Sequence, residues 1–259
     1  MTKPLKLYWS SGLKNGKKNF GDWLSPVLCE AISGREVVYA KPRHCDLVAV
    51  GSILQRLKNH FWSHRVHVWG SGLIEQVPSF STPHFIHAVR GKLTASTLRN
   101  RTVDTLGDPG LLCDILLPEK HPHKKFRIGV VPHYKDQGHS AVAEFAKQPG
   151  VCVIDILSET DEFLNQVSRC EHILSSSLHG LIVADALEIP NGWIKISNGV
   201  RGNDFKFSDY YSIFGLESPN PFPFCNTTTV HEVEKWCLEY HRPGLREIKQ
   251  RLHDAFPFR

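Results

Sequence analysis

Short apolar runs separated by helix-period segments recur along this chain, and that alternation leaves few architectures open. Strands are predicted over residues 5–9, 36–39, 46–50, 66–69 and 85–89, with helices over 22–32, 53–58 and 92–98. A strand, a helix and a return to strand is the pattern of a parallel sheet with crossover helices. Residues 117–125, Leu117-Pro118-Glu119-Lys120-His121-Pro122-His123-Lys124-Lys125, then lose apolar periodicity and gain proline and charge, which reads as a linker over 119–125. Beyond it the pattern restarts, with strands over 127–131, 151–156, 171–174 and 193–196 and helices over 141–147, 161–167 and 178–187. A tail over 230–252 reads as one or two helices, broken at Pro243-Gly244.

The expected fold is therefore α/β: two doubly wound, Rossmann-like units, 1–118 and 126–259, facing a cleft, with terminal helices that return to the first unit. In such sheets ligands sit outside the carboxyl ends of the strands. Polar or glycine-rich residues collect at six predicted strand ends. They are Ser10-Ser11-Gly12, Gly51-Ser52, Gly70-Ser71-Gly72, Arg90-Gly91-Lys92, Pro132-His133-Tyr134-Lys135-Asp136 and Ser175-Ser176-Ser177-Leu178-His179-Gly180. Small residues admit a ligand to backbone N–H groups, and Arg or Lys beside them pairs with phosphate or carboxylate. The last motif also lies where an apolar strand gives way to a helix start, whose free N–H groups and dipole attract anions. Ser177 as a simple N-cap and His179 as a satisfied first-turn residue fit the same spacing equally well.

Composition narrows the partners. A net charge of +5 with 15 histidines, and no long Lys/Arg block, points to small anions or phospholipid-linked molecules and away from nucleic acid. Seven widely spaced cysteines without a CxxC pair suit reduced, buried thiols more than disulfides or zinc. No HExxH, Walker or GxSxG motif is present, so no metal or cofactor is expected. With no apolar leader-like run at the start and nowhere eighteen apolar residues together, the expectation is a cytoplasmic protein at most peripheral to the inner face of a membrane.

Asn19-Phe20-Gly21-Asp22, Gly70-Ser71-Gly72, Arg90-Gly91, Gly107-Asp108-Pro109-Gly110, Pro132-His133-Tyr134 and Ser176-Ser177-Leu178-His179-Gly180 resemble, in that order, the polysaccharide pyruvyl transferase family, most closely its bacterial exopolysaccharide branch. The resemblance runs from about Asn19 to Gly215. It implies a GT-B-like fold and transfer of pyruvate from phosphoenolpyruvate to two hydroxyls of a sugar, itself free or lipid-linked. His179 then corresponds to the motif histidine, an acid or base, and Asp22 to a base or hydroxyl-positioning group, unless it is only a first-turn acid. Asn19, Ser71, Gly72, Arg90 and Ser176 fall on the binding side, with Arg90 on the donor's phosphate or carboxylate. Ser177 stands where some members carry Arg; His133, Lys135, Arg201 and Lys206 are the candidates for the missing cation. Two rival readings stay open: a glycosyltransferase with Asp155, Glu159 or Asp161 on a nucleotide ribose, and an inactive glycan- or phosphate-binding module.

Overall fold

The structure, a computed structural model, describes residues 3–119, 122–197, 199, 202, 204–216 and 220–259. Among the described residues nine strands form two sheets, one in each half of the chain. The first contains β1 (Leu5–Tyr8), β2 (Val37–Tyr39), β3 (Leu47–Val48), β4 (His67–Trp69) and β5 (Phe85–Ala88), in the order β2-β1-β3-β4-β5. The second contains β6 (Phe126–Val131), β7 (Val151–Val153), β8 (Cys170–Ser175) and β9 (Asn191–Trp193), in the order β7-β6-β8-β9. Every pairing within both sheets is parallel, which gives the Rossmann-like α/β class. The apolar composition of β6 and β8 follows from burial on both faces: Ile128, Val130, Val131, Ile173 and Leu174 are fully enclosed.

The helices among the described residues connect and cover the strands: α1 (Phe20–Ser33), α2 (Lys92–Ser96), α3 (Ser140–Phe145), α4 (Thr160–Ser168), α5 (Leu178–Ala186), α6 (Phe205–Tyr211), α7 (Val230–Cys237) and α8 (Leu245–Asp254). Helix α1 starts at Asn19, whose side chain faces the Asp22 N–H, and ends at Gly34, which takes the left-handed conformation (φ 63°) and donates to the Glu30 carbonyl. The tail divides into α7 and α8 at Gly244 (φ 74°), beside Pro243 as the sequence indicates.

Three segments differ from the sequence expectation. Residues 53–58 form only a 3-10 turn at Leu54–Arg56, because Leu57 is already extended and buried, so the chain turns away before a second helical turn closes. Pro109–Leu116, to which the sequence pattern assigns no element, is a 3-10 segment begun by Asp108, whose carboxylate accepts from the Gly110 N–H at 2.9 Å. The last strand lies at Asn191–Trp193 rather than 193–196, since Pro190 ends the preceding turn and β9 must reach the Ile173–Ser175 register of β8.

The largest apolar cluster draws on both sheets. Leu7, Phe20, Leu24 and Trp69 share it with Val131, Phe163, Leu181, Ile182 and Tyr210. Phe20 and Phe163 stack with centroids 4.0 Å apart, and the Phe20 N–H donates to the Ile156 carbonyl at 2.9 Å. At the other end Trp69 Nε1 donates to the Leu252 carbonyl of α8 at 2.8 Å. All seven cysteines are free thiols, five of them buried. No helix among the described residues is long and apolar enough to cross a membrane.

Candidate active site

The carboxyl ends of β1, β3, β6 and β8 converge on a cavity of about 260 Å³. The first sheet and α1 contribute Tyr8, Ser10, Asn19, Asp22 and Ser52, with Gln55 and Arg56 from the turn after β3. Across from them stand His133, Tyr134 and Lys135 after β6, Ser177 and His179 at the start of α5, and Lys206 on α6. Lys14 reaches in from a tight hairpin closed by reciprocal Lys14 and Lys17 backbone bonds of 2.8 and 2.9 Å.

The serine turn divides its labour. Ser175 Oγ donates to the Val131 and Ser177 carbonyls at 2.9 and 2.8 Å and accepts from the Ser177 N–H. Gly180 must stay small, because a Cβ there would stand 2.4 Å from Ser175 Oγ. Ser176 Oγ donates to buried Asp136 and accepts from the His133 N–H at 2.8 Å, so it ties the β6 loop to β8 and lies outside the cavity wall. Ser177 occupies the N-cap position of α5, yet its side chain makes no capping bond and lines the cavity instead.

His179 is set by a glycine in the other half of the chain. A Cβ on Gly21 would stand 2.0 Å from His179 Nδ1, so the first turn of α1 lies directly against the imidazole. The opposite nitrogen, Nε2, is buried and has no hydrogen-bond partner among the described residues. Burial first, then the charges of Lys206 and Arg90 and the neighbouring His133 imidazole, pull its pKa down to about 3. His133 is lowered to about 4, again by burial and then by Lys206. Asp22 shifts the other way: burial raises its carboxyl to about 6 against the pull of Lys14, a hydrogen bond from Ser10 and Lys206. The Lys206 ammonium is lowered to about 8 by burial and Arg90, with Asp22 and Asp136 opposing. At neutral pH the site thus holds a neutral imidazole that accepts a proton only if negative charge arrives, beside a carboxyl close to its own titration point.

Arg90 does not line this cavity. It is fully buried, with Nε on Asp209 at 2.9 Å, one terminal nitrogen on Ser52 Oγ and the other on the Leu73 carbonyl, both at 2.5 Å. Asp209 also accepts from the Thr94 N–H and hydroxyl at 2.8 and 2.7 Å. Gly72 is the floor for the guanidinium, since a Cβ there would meet its central carbon at 2.4 Å. Gly91 allows the Asp209 carbonyl to lie against the β5 turn, where a Cβ would stand 1.8 Å away. In place of the anion contact expected of it, Arg90 pins α6, and so Lys206, to the first sheet. Ser71 likewise turns inward, donating to the Gly51 carbonyl at 2.9 Å. The structure therefore gathers Asn19, Asp22, His133, Lys135, Ser177, His179 and Lys206 in one cavity and leaves Ser71, Gly72, Arg90 and Ser176 behind its wall. Arg201 lies outside the described residues.

Tyr8, Gln55, Arg56, Ile74 and Tyr134 line the cavity without having been singled out. Tyr8 and Tyr134 sit at strand ends, where the polar-end criterion reaches them; Gln55 and Arg56 were hidden by reading residues 53–58 as helix. The carboxylates suited to a ribose lie elsewhere. Asp155 accepts from Lys17, the Leu157 N–H and Gln137, and Glu159 pairs with Lys18. Asp161 belongs to the first turn of α4.

The shifted groups make stability pH-dependent. An unfolded histidine takes its proton near pH 6.5, whereas folded His179 and His133 resist until about 3 and 4, so acidification below 6.5 favours the unfolded chain. Asp22 acts oppositely, holding a proton between about 6 and 3.8 that the unfolded carboxylate has lost. Asp108, raised to about 6 by burial, acts with Asp22, while burial lowers His67, His84 and His87 as well, so five imidazoles stand against two carboxyls. The urea midpoint is expected to fall from pH 7 to 4, and His179→Asn to flatten that fall. An unchanged slope in the variant would contradict the burial of a neutral imidazole.

A cavity at the ends of parallel strands brings ammonium and guanidinium groups beside a neutral imidazole and a carboxyl raised to about 6, an arrangement chemically suited to a small anion and to proton transfer. Over residues 2–198 the sequence matches the family model of polysaccharide pyruvyl transferases, and the chain belongs to that family. It is 33% identical over 168 residues to the uncharacterized protein L143 of Acanthamoeba polyphaga mimivirus, a match covering 61% of this chain and 58% of that protein. It is 29% identical over 213 residues to the succinoglycan biosynthesis protein ExoV of Rhizobium meliloti (strain 1021), covering 81% of this chain and 64% of that one. The chain thus spans less than two thirds of the length of these curated relatives.

Proposed function

We propose that this protein transfers a pyruvyl (carboxyethylidene) group from phosphoenolpyruvate to two hydroxyls of a sugar in an exopolysaccharide or its precursor, giving a cyclic ketal and phosphate. Family membership supports the reaction class. The observation that carries the donor is the cavity's charge: Lys14, Arg56, Lys135 and Lys206 face a space with one aspartate on its wall, a balance suited to a phosphate and a carboxylate on one small molecule.

Protonation of the donor's methylene carbon makes its C2 electrophilic. One sugar hydroxyl attacks C2, phosphate leaves with its bridging oxygen, and the second hydroxyl closes the ring. Of the two hydroxyl protons, one balances the proton now in the new methyl group and the other departs with phosphate. Asp22, raised to about 6, is the proton donor to carbon, since a nearby donor dianion raises it further. His179, neutral and with Nε2 unpartnered, accepts the proton of the attacking hydroxyl. The lysines hold the phosphate, and Lys206 supplies the charge that Ser177 lacks. No metal or cofactor has a role in this scheme, and a GT-B-like arrangement of the two sheets and a cytoplasmic site of action belong to the same proposal.

The test is incubation with phosphoenolpyruvate and a galactose- or mannose-type glycoside. The expected result is phosphate release matched by a pyruvate-sized mass gain on the sugar. Sugar transfer from a nucleotide sugar, or glycan binding without turnover of any donor, would overturn the reading.

A further inference from the structure

Residues 47–74 contain no Asp or Glu, while Arg56, Lys58, His60, His64, Arg65 and His67 fall within them. In the middle of this acid-free run the chain makes a tight turn, closed by the Ser63 N–H on the His60 carbonyl at 2.9 Å. Its two central residues are Phe61 and Trp62, with 84% and 69% of their surface exposed. The three rings pack on one another rather than on the protein: His60 stacks on Trp62 with centroids 4.9 Å apart, and Phe61 meets Trp62 edge-on at 4.6 Å. The turn is held firmly from below. Leu57 and Val66 are buried on either side of it, and His64 Nε2 bonds the Cys45 carbonyl at 3.0 Å. Among the described residues none of Arg56, Lys58 and Arg65 is held in a salt bridge.

We propose that this turn is a membrane-docking tip, which inserts Phe61 and Trp62 at the interface of an anionic phospholipid bilayer while the flanking cations meet its headgroups. Aromatic rings, Trp above all, favour the headgroup level of a bilayer, where an apolar body and a polar edge are both accommodated. Cations beside them are attracted by anionic lipid, each by about fivefold in partitioning. Charge complementarity selects this occupant: a neutral or basic partner gains nothing from an acid-free surface. Because both ends of the turn are already fixed, little ordering is needed on insertion.

The location gives the tip a purpose. Gln55 and Arg56 line the cavity, and Phe61 lies five positions after Arg56, a reach of at most about 18 Å. Docking therefore brings the cavity mouth close to the bilayer plane, where a glycan carried on a lipid anionic linkage is presented. The docking surface itself does not rest on the transfer chemistry proposed above.

Sedimentation with vesicles tests it, using phosphatidylcholine alone and phosphatidylcholine mixed equally with phosphatidylglycerol. The protein is expected to sediment with the mixed vesicles and not with the neutral ones. F61S/W62S should lower that partitioning by about tenfold or more, and K58E/R65E should remove the preference for anionic lipid. Both variants alter exposed side chains, so an unchanged urea midpoint verifies the fold. Transfer to a water-soluble glycoside should be unchanged in F61S/W62S, since neither ring lines the cavity, and this separates failure of docking from failure of the chemistry. Equal binding of wild type and F61S/W62S, or no preference for anionic vesicles, would overturn the proposal. So would self-association in ultracentrifugation that F61S/W62S abolishes, which would make the patch a contact between copies of the chain.

Discussion

Replacing His179 with Asn is expected to lower kcat by about 10²–10⁴-fold, the range over which a positioned acid or base accelerates a proton transfer. Three features of the site lead there. The imidazole is kept neutral by burial and by surrounding cations, so it enters the reaction unprotonated and gains basicity when the donor's negative charge offsets those cations. Its Nε2 has no partner among the described residues, so its acceptor capacity is not used by the fold. Nδ1 is fixed against Gly21, so the ring is oriented by backbone rather than by a mobile side chain. Asn retains polarity in less volume and removes a buried group that resists protonation, so the folded state should survive the change. The KM for phosphoenolpyruvate should move little, because the lysines carry the donor. Steady-state kinetics alongside urea unfolding separates these effects: a tenfold rise in KM at unchanged kcat would make His179 a binding group instead.

Arg90→Leu is expected to act on the other axis. Its loss leaves the Asp209 carboxylate buried with only the Thr94 donors and the Ser52 and Leu73 contacts broken, a change that costs about 3–5 kcal/mol. The urea midpoint should collapse accordingly. Replacing both members of the pair, Arg90→Leu with Asp209→Leu, should recover much of that loss, because two apolar side chains avoid an unpaired buried charge. A residue that held the donor from the cavity wall would behave differently, raising KM while leaving the unfolding midpoint almost unchanged. Finding that pattern for Arg90→Leu would restore the arginine to the donor site.

The contrast between these two residues marks what the sequence makes legible. Parallel strands are buried on both faces and separated by crossover helices, so their apolar runs and punctuation appear locally, and the carboxyl ends follow directly. His179, His133 and Lys135 follow by that route, and Asp22 from the resemblance of Asn19-Phe20-Gly21-Asp22 to the family. The destination of a long side chain is different, because it depends on partners far away in the chain. Asp209 is 119 residues from Arg90, and nothing in Arg90-Gly91-Lys92 distinguishes a guanidinium that faces ligand from one enclosed by protein. Ser71 and Ser176 are the same case on a smaller scale, hydroxyls at strand ends that satisfy a neighbouring loop. Conversely, Arg56 was missed because Ile53, Leu54 and Leu57 have helical spacing although the chain closes only a single turn.

The apolar cluster that runs through both sheets also limits how the cavity exchanges its contents. Swinging one sheet away from the other would break the Phe20–Phe163 stack and wet Leu24, Leu181 and Ile182, burial of which stabilises the fold by roughly 1.5–3 kcal/mol per side chain. The Lys14–Lys17 hairpin is held to the far half by two exposed ion pairs, Lys17 with Asp155 at 3.4 Å and Lys18 with Glu159 at 3.6 Å. Surface pairs of that kind contribute little and weaken with salt. Among the described residues, the part of the cavity wall that carries Lys14 is therefore joined to the far half by contacts that salt weakens, while the two sheets behind it are joined by contacts that salt leaves intact.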